Sequence, residues 1–323
     1  MTGADRLTTF TPTRRSAVSD PSTSRSNSSP SNTSPSSSPS ADASSRGASS
    51  TSASSTDTSS PGSSGAATRE FPSDAPLQVE IHDGIMTLTL RRAERRNAVN
   101  QELADALDRA FAIAEATASV RVIVLTGAGG YFSAGTDLSE GTSPKTPDGG
   151  SYGFVRRRRS VPVIAAVEGF ALGGGFEMVL ACDLVVAARD ARFGLPEVKR
   201  GVVANCGAFF RTPAKLPATA ATEMLLTGDP ISAPRAVELG LVNTVTEPGH
   251  ALAGALELAG RITANSPVAV AETTRALIEA RDLAEEPLWP LTDRASQTLW
   301  ASPDREEGIR AFFEKREPRW TVR

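Results

Sequence analysis

Glu168-Gly169-Phe170-Ala171-Leu172-Gly173-Gly174-Gly175-Phe176-Glu177 follows Val161 to Val167, an apolar run that reads as a buried strand. Three glycines then open a helical pattern that continues to about Cys182. Lacking side chains, they let a ligand come close to the backbone. The first N–H groups of a helix have no intrahelical partner and lie at the positive end of its dipole. Such a strand-to-helix turn suits a developing oxyanion. On its own a Gly-Gly-Gly helix start more often serves close packing, so its neighbours decide.

Arg121 to Thr126 reads as another buried strand and runs into Gly127-Ala128-Gly129-Gly130. A dinucleotide fingerprint needs glycine where Phe132 stands, and a phosphate-binding loop needs Gly-Lys-Ser/Thr, which is absent. These glycines therefore read as a tight turn. A second turn of small residues follows, Phe132-Ser133-Ala134-Gly135-Thr136-Asp137-Leu138. Nearer the N-terminus, Leu77 to Ile81 and Ile85 to Leu90 alternate apolar and polar residues around Asp83-Gly84, which predicts a β-hairpin. Asn100 caps a helical pattern through Leu103, Leu107, Phe111 and Ala114. Leu184 to Ala188 is a further strand. After about Pro213 the periods become helical, over 218–226, 233–239, 251–262 and 268–282, with two shorter helices near the end. The order is α/β first and all-α last.

Together these segments resemble the crotonase superfamily, also called the enoyl-CoA hydratase/isomerase family. The resemblance spans residues 77–323. It is carried as well by Arg95-Arg96-Asn97-Ala98-Val99-Asn100, Val163-Ile164-Ala165-Ala166-Val167-Glu168-Gly169, Ala181-Cys182-Asp183-Leu184, Phe193-Gly194-Leu195-Pro196-Glu197, Gly240-Leu241-Val242-Asn243 and Glu307-Gly308-Ile309-Arg310-Ala311-Phe312. The fold it implies is α/β: a spiral of ββα units over 76–215, then a helical region over 216–323 that drives assembly into a homotrimer or hexamer. It implies an acyl-CoA thioester substrate, no cofactor beyond the CoA moiety of that substrate, and two backbone N–H groups that stabilise a thioester enolate. Those donors fall on Thr136 and Gly174. Arg96, Ala98, Ala134, Asp137 and Leu138 fall at positions that bind substrate or CoA. Phe312 and Lys315, with Phe313, fall on a tail that covers the adenine and its phosphate.

The family runs several reactions on one oxyanion hole, so the fold does not choose among them. Hydratases similar to this chain carry two glutamates, and Glu177 and Glu197 stand at both positions. Adding water across a C=C bond conjugated to a thioester needs a base for the water and an acid for Cα, and two carboxylates around one water supply both. By analogy Glu177 activates the water and Glu197 delivers the proton. Another reaction of the family, such as isomerisation or crotonobetainyl-type hydration, and a non-catalytic acyl-CoA-binding subunit remain as alternatives. The chain departs from the pattern at Ala93, where proline is frequent, and at 201–208, a loop commonly richer in glycine, in which Asn205 and Cys206 are expected to alter the pocket wall. The segment Ser139 to Gly153 varies most in the family and shapes the acyl pocket.

Composition narrows the remaining classes. The 323 residues include two cysteines and two histidines and carry a formal net charge of −3. Cys182 and Cys206 read as small apolar residues, and His82 and His250 as structural or exposed, so no metal site is expected. Neither the charge nor the Arg156 to Arg159 run, which reads as the cationic end of a helix, points to nucleic acid. No apolar run approaches the roughly 20 residues that span a bilayer, and no secretory signal opens the chain, so the expected location is cytoplasmic. Residues 1–75 read as a disordered Ser/Pro-rich tail. Half of the positions from Ser19 to Ser64 are serine and none is Val, Ile, Leu or aromatic, too little apolar surface to offset ordering. Asp5, Asp20, Asp42 and Asp57 count against a transit peptide.

Overall fold

Asp83 and Gly84 both take positive φ, 51° and 79°, and turn Leu77–His82 (β1) back into Ile85–Leu90 (β2). This is the predicted hairpin, with the left-handed residues that a tight turn between twisted strands requires. The computed structural model of the chain describes residues 71–321. The serine-rich segment up to residue 70 lies outside the described residues. Phe71, assigned above to the tail, is buried in the main core at 8% exposure, so the ordered structure begins upstream of the expected boundary at 76.

The remaining strands are Val122–Gly127 (β3), Lys145–Thr146 (β4), Gly150–Ser151 (β5), Val163–Val167 (β6), Phe170–Leu172 (β7), Leu184–Ala188 (β8), Arg192–Gly194 (β9), Ile231–Ser232 (β10) and Thr244–Thr246 (β11). Among the described residues the larger sheet runs β1-β2-β3-β6-β8-β11, antiparallel at the first pair and parallel at each later one. A smaller sheet runs β10-β9-β7, and β4 pairs with β5. Parallel strands covered on both faces need apolar residues at successive positions, which is why β3 and β6 read as unbroken apolar runs. Ile123, Leu125, Val163 and Ala165 face the main core, where Leu103, Leu107 and Phe111 of the helix Gln101–Ala116 pack. Val122, Val124, Ile164, Ala166 and Val186 face Ala251, Ala255 and Ala259 of the helix Ala251–Thr263. The Asn100 side chain accepts from Leu103 N and caps the first of these helices, as its sequence predicts.

The architecture is the expected mixed α/β sheet followed by a helical region, with three differences in detail. Residues 216–323 are not all helical, because β10 and β11 join the two sheets. Strands of two and three residues show no period-2 pattern, and their partners lie far away in sequence. The Arg156 to Arg159 run forms no helix end. Arg159 is buried instead and holds Asp183 through two hydrogen bonds of 2.6 and 2.7 Å, while Arg157 pairs with Asp108 and Arg156 with Glu286. The helix Ala208–Lys215 is an addition, hidden in the sequence by Pro213 inside it. No helix among the described residues is long and apolar enough to cross a membrane.

Candidate active site

The two small-residue turns come together. Ser133 bridges Ala171, with Leu172 N donating to Ser133 O at 3.0 Å. A Cβ on Gly135 would sit 2.6 Å from Gly174 N, and one on Gly175 would overlap the Ser133 carbonyl. Glycine at both positions therefore permits the close approach of one backbone to the other. Gly173, at φ 57° and ψ −129°, reverses the chain between β7 and the helix Gly174–Ala181. The expected direct strand-to-helix passage is thus interrupted by the short strand β7. Among the described residues, neither Thr136 N nor Gly174 N donates to another group, because the Val99–Thr136 bridge uses Gly135 O and Asp137 N. Two unpaired N–H groups at adjoining turns, one at a helix N-terminus, form a ready anion site.

The first turn is braced from the Arg-Asn-Ala motif. Asn97, fully buried at φ 52°, donates to Ala128 O and Tyr131 O and accepts from Arg92 N. Ser133 Oγ donates to Asn97 O and accepts from Gly135 N. Asp137 pairs with Arg92 at 3.0 Å and accepts from Ser139; although burial raises its pKa, these bonds hold it below the usual value.

A cavity of about 540 Å³ opens over both turns. Glu177, Glu197, Thr136 and Gly174 line it, as do Arg96, Ala98, Ala134, Asp137, Leu138 and Phe312. Lys315 does not: it ends the helix Pro303–Glu314 in the left-handed conformation, outside the lining. Glu177 is 1% exposed, and its Oε1 accepts from Cys206 N at 2.7 Å and Ala208 N at 3.1 Å. The carboxylate therefore sits at the N-terminus of the helix Ala208–Lys215. Burial pushes Glu177 up to about 7, against those two N–H bonds and the Arg211 charge. Glu197 lies on the short 3-10 turn Pro196–Arg200, with Oε2 buried and unpartnered among the described residues. Burial, then the nearby Glu177 charge, pushes it up to about 8. The helix Pro303–Glu314 fixes that turn: Arg200 stacks 3.9 Å over the Phe312 ring, and a Cβ on Gly308 would overlap the Arg200 carbonyl. Two carboxyls with raised pKa face one pocket below two free N–H groups. Such a site can move protons beside a stabilised oxyanion.

The model of the enoyl-CoA hydratase/isomerase family matches residues 80–323. This chain belongs to that family. The mevalonyl-coenzyme A hydratase of Aspergillus fumigatus is 40% identical over 245 residues, 73% of this chain and 91% of that protein. The enoyl-CoA hydratase EchA19 of Mycobacterium tuberculosis is 37% identical over 267 residues, 80% of this chain and all of the relative. A solved carnitinyl-CoA hydratase from Mycobacterium avium superposes with a TM-score of 0.73 at 41% identity, covering 77% of this chain and 99% of that one. Relatives of this kind are hydratases and dehydratases, and the chain is a hydratase-like lyase of the crotonase superfamily.

Family motifs do not reach Tyr152 and Ser143, which also line the pocket and which sequence reasoning missed. Tyr152 is 1% exposed at φ 54°, and its hydroxyl lies where a Cβ on Gly174 would fall. It shares a hydrogen bond of 2.7 Å with Thr136 Oγ1, which in turn lies 3.1 Å from Ser143 Oγ. Ser143 and Tyr152 lie within the variable Gly/Pro-rich segment, whose composition reads only as loop. The one available signal was a lone tyrosine among small residues.

Proposed function

We propose that the protein hydrates trans-2-enoyl-CoA thioesters to 3-hydroxyacyl-CoA. The observation that carries this reading is the pairing of Glu177 and Glu197, both raised in pKa, across the cavity that the free N–H groups of Thr136 and Gly174 overlook. The thioester oxygen sits between these two donors, which favour the enolate over the ground-state carbonyl. Glu177, held as a carboxylate acceptor by Cys206 N and Ala208 N, takes a proton from water, and the oxygen of that water bonds to C3. Electrons of the C2=C3 bond move towards the thioester oxygen. Glu197 then gives C2 a proton, and the proton gained by Glu177 restores the pair. An unpartnered buried oxygen on Glu197 favours its protonated form, which suits the acid.

The CoA moiety runs past Arg96, Ala98, Asp137 and Leu138 towards Phe312, and no further cofactor takes part. The relatives' names differ in the acyl group, mevalonyl in one and carnitinyl in another, so the family reaction extends here to a CoA thioester whose acyl part the pocket wall selects. Assembly as a trimer or hexamer follows from Leu226, Val268, Leu277 and Leu283, which the helices of a single chain leave between 66% and 75% exposed. Turnover on a panel of enoyl-CoA chain lengths, followed through loss of the conjugated thioester absorbance, tests the reaction. No loss with any member would overturn it.

A further inference from the structure

A chain of hydrogen bonds with a fixed direction runs along the pocket wall from Tyr152 to Asn205. Asn205 Oδ1 can only accept, and it takes the Ser143 Oγ hydrogen at 3.0 Å and the Cys206 Sγ hydrogen at 3.2 Å. Each hydroxyl has one hydrogen. With that of Ser143 committed to Asn205, Thr136 donates to Ser143 across 3.1 Å and Tyr152 donates to Thr136 across 2.7 Å. The Cys206 thiol remains protonated, because burial pushes its pKa far up, so it serves as the second donor. Two donors, Ser143 Oγ and Cys206 Sγ, thus converge on one carbonyl oxygen and fix which way the Asn205 amide faces.

Its other end is left over. Among the described residues Asn205 Nδ2 donates to nothing, yet it is not one of the buried unpartnered atoms, and Asn205 lines the cavity. Its two N–H groups are therefore open to the pocket. The place is close to the chemistry: the next residue, Cys206, holds Glu177 through its N–H, and Ser143 connects Asn205 to Thr136, whose N–H faces the thioester oxygen.

We propose that Asn205 is a specificity-determining donor that selects acyl groups carrying a neutral oxygen acceptor, a hydroxyl in the first place, one or two carbons beyond the reacting pair. This rests on the acyl-CoA reading of the site. A hydrocarbon chain passing Nδ2 would strip its water and leave a polar group unpaired, at a cost that commonly reaches about tenfold or more in affinity. A hydroxyl replaces that water. A carboxylate meets the same donor but also the like charge of Glu177, which Cys206 N holds next door, and this favours the neutral group.

The test compares saturated ligands, so that binding is read without turnover. Pentanoyl-CoA, 4-hydroxybutanoyl-CoA and succinyl-CoA are nearly equal in size and differ at the end that would meet Asn205. Calorimetry on the full chain is expected to show 4-hydroxybutanoyl-CoA binding about tenfold tighter than pentanoyl-CoA, with succinyl-CoA behind it. In Asn205→Leu, of similar shape, the ratio of the first two affinities falls to near one. Equal affinities in the parent protein, or an unchanged ratio in Asn205→Leu, would overturn the proposal; the first comparison needs no variant to fold. Tightest binding of succinyl-CoA would overturn the choice of a neutral group. A persistent ratio in a protein that hydrates no enoyl-CoA would sink the hydratase reading and leave the role of Asn205 standing.

Discussion

Cys206 N lies 2.7 Å from Glu177 Oε1, and Ala208 N lies 3.1 Å from the same oxygen, so the loop at 205–208 holds the buried glutamate by its far side. Glu177 also lines the cavity. Two N–H groups at a helix start stabilise the ionised form of a carboxyl that burial would otherwise keep protonated. The departure of this loop from the glycine-rich family pattern leaves its backbone task intact, because peptide groups rather than side chains hold Glu177.

If Glu177 and Glu197 share one water, Glu177→Gln and Glu197→Gln each lower the hydration rate by about 10² or more, since shape is kept and a proton carrier is lost. The double variant should cost far less than the product of the singles, because groups acting as a unit are not additive. Saturated acyl-CoA binding, measured by calorimetry, should survive in all three. Full activity in Glu197→Gln would make the second carboxyl a bystander and favour isomerisation.

Gly174→Ala tests the anion site separately. The added Cβ falls on the Tyr152 hydroxyl, so either Tyr152 or the Gly174 peptide has to move. Loss of one oxyanion donor commonly costs about 10² or more in rate. We expect that loss in kcat on any good substrate, with the fold retained by circular dichroism. A variant with unchanged kcat would show that the Gly174 peptide did not move or that its N–H does not face the reacting oxygen.

The chain boundary gives a third test. Removing residues 1–70 should leave melting temperature and turnover unchanged, given the absence of Val, Ile, Leu and aromatic residues from Ser19 to Ser64. Removal through 75 takes Phe71 out of the core, a loss of about 2 kcal/mol, and should lower the melting temperature by several degrees. Identical melting of the two truncations would show that Phe71 contributes little.

For assembly, light scattering should report a trimer or hexamer, and Leu277→Glu combined with Leu283→Glu should shift it to smaller species. These leucines are 66% and 75% exposed in the single chain. A stable, active monomer of the parent protein would contradict the assignment.

What could be read from the sequence followed from local signals. The hairpin at Asp83-Gly84, the Asn100 cap, the apolar runs of β3 and β6 and the glycine turns each announce themselves within a few residues. The residues that escaped are those whose role depends on distant partners. Arg159 is a buried ion-pair partner only because Asp183 meets it, and β11 is a strand only because β8 lies alongside. Tyr152 sits in a loop, where sequence gives no face, whereas Asn205 was legible as a departure from the family loop and does line the pocket. Lys315 falls, by the family resemblance, at a position that covers the adenine phosphate, but the helix ends at Glu314 and Lys315 is not among the residues that line the pocket.

The glutamate pair also fixes how rate and stability depend on pH. Catalysis as proposed needs Glu177 ionised and Glu197 protonated. With burial pushing Glu177 up to about 7 and Glu197 up to about 8, kcat/KM should rise with pH through the first value and fall through the second. The two limbs belong to the pair and not to single residues. Glu197→Gln, which has no proton to lose, should remove the alkaline limb from whatever rate remains. Stability runs the other way from the usual carboxylate case. Both folded values lie above the ordinary 4.5, so the native protein keeps protons that the unfolded chain has released. The stability these groups contribute is complete below about 4.5 and is lost as pH rises through 7 and 8. Thermal melting of either Gln variant should therefore exceed that of the parent by a margin that grows from pH 5 to pH 9. A margin that is constant with pH, together with a flat kcat/KM profile over the same range, would mean that neither glutamate carries a raised pKa and that the proton transfers lie elsewhere.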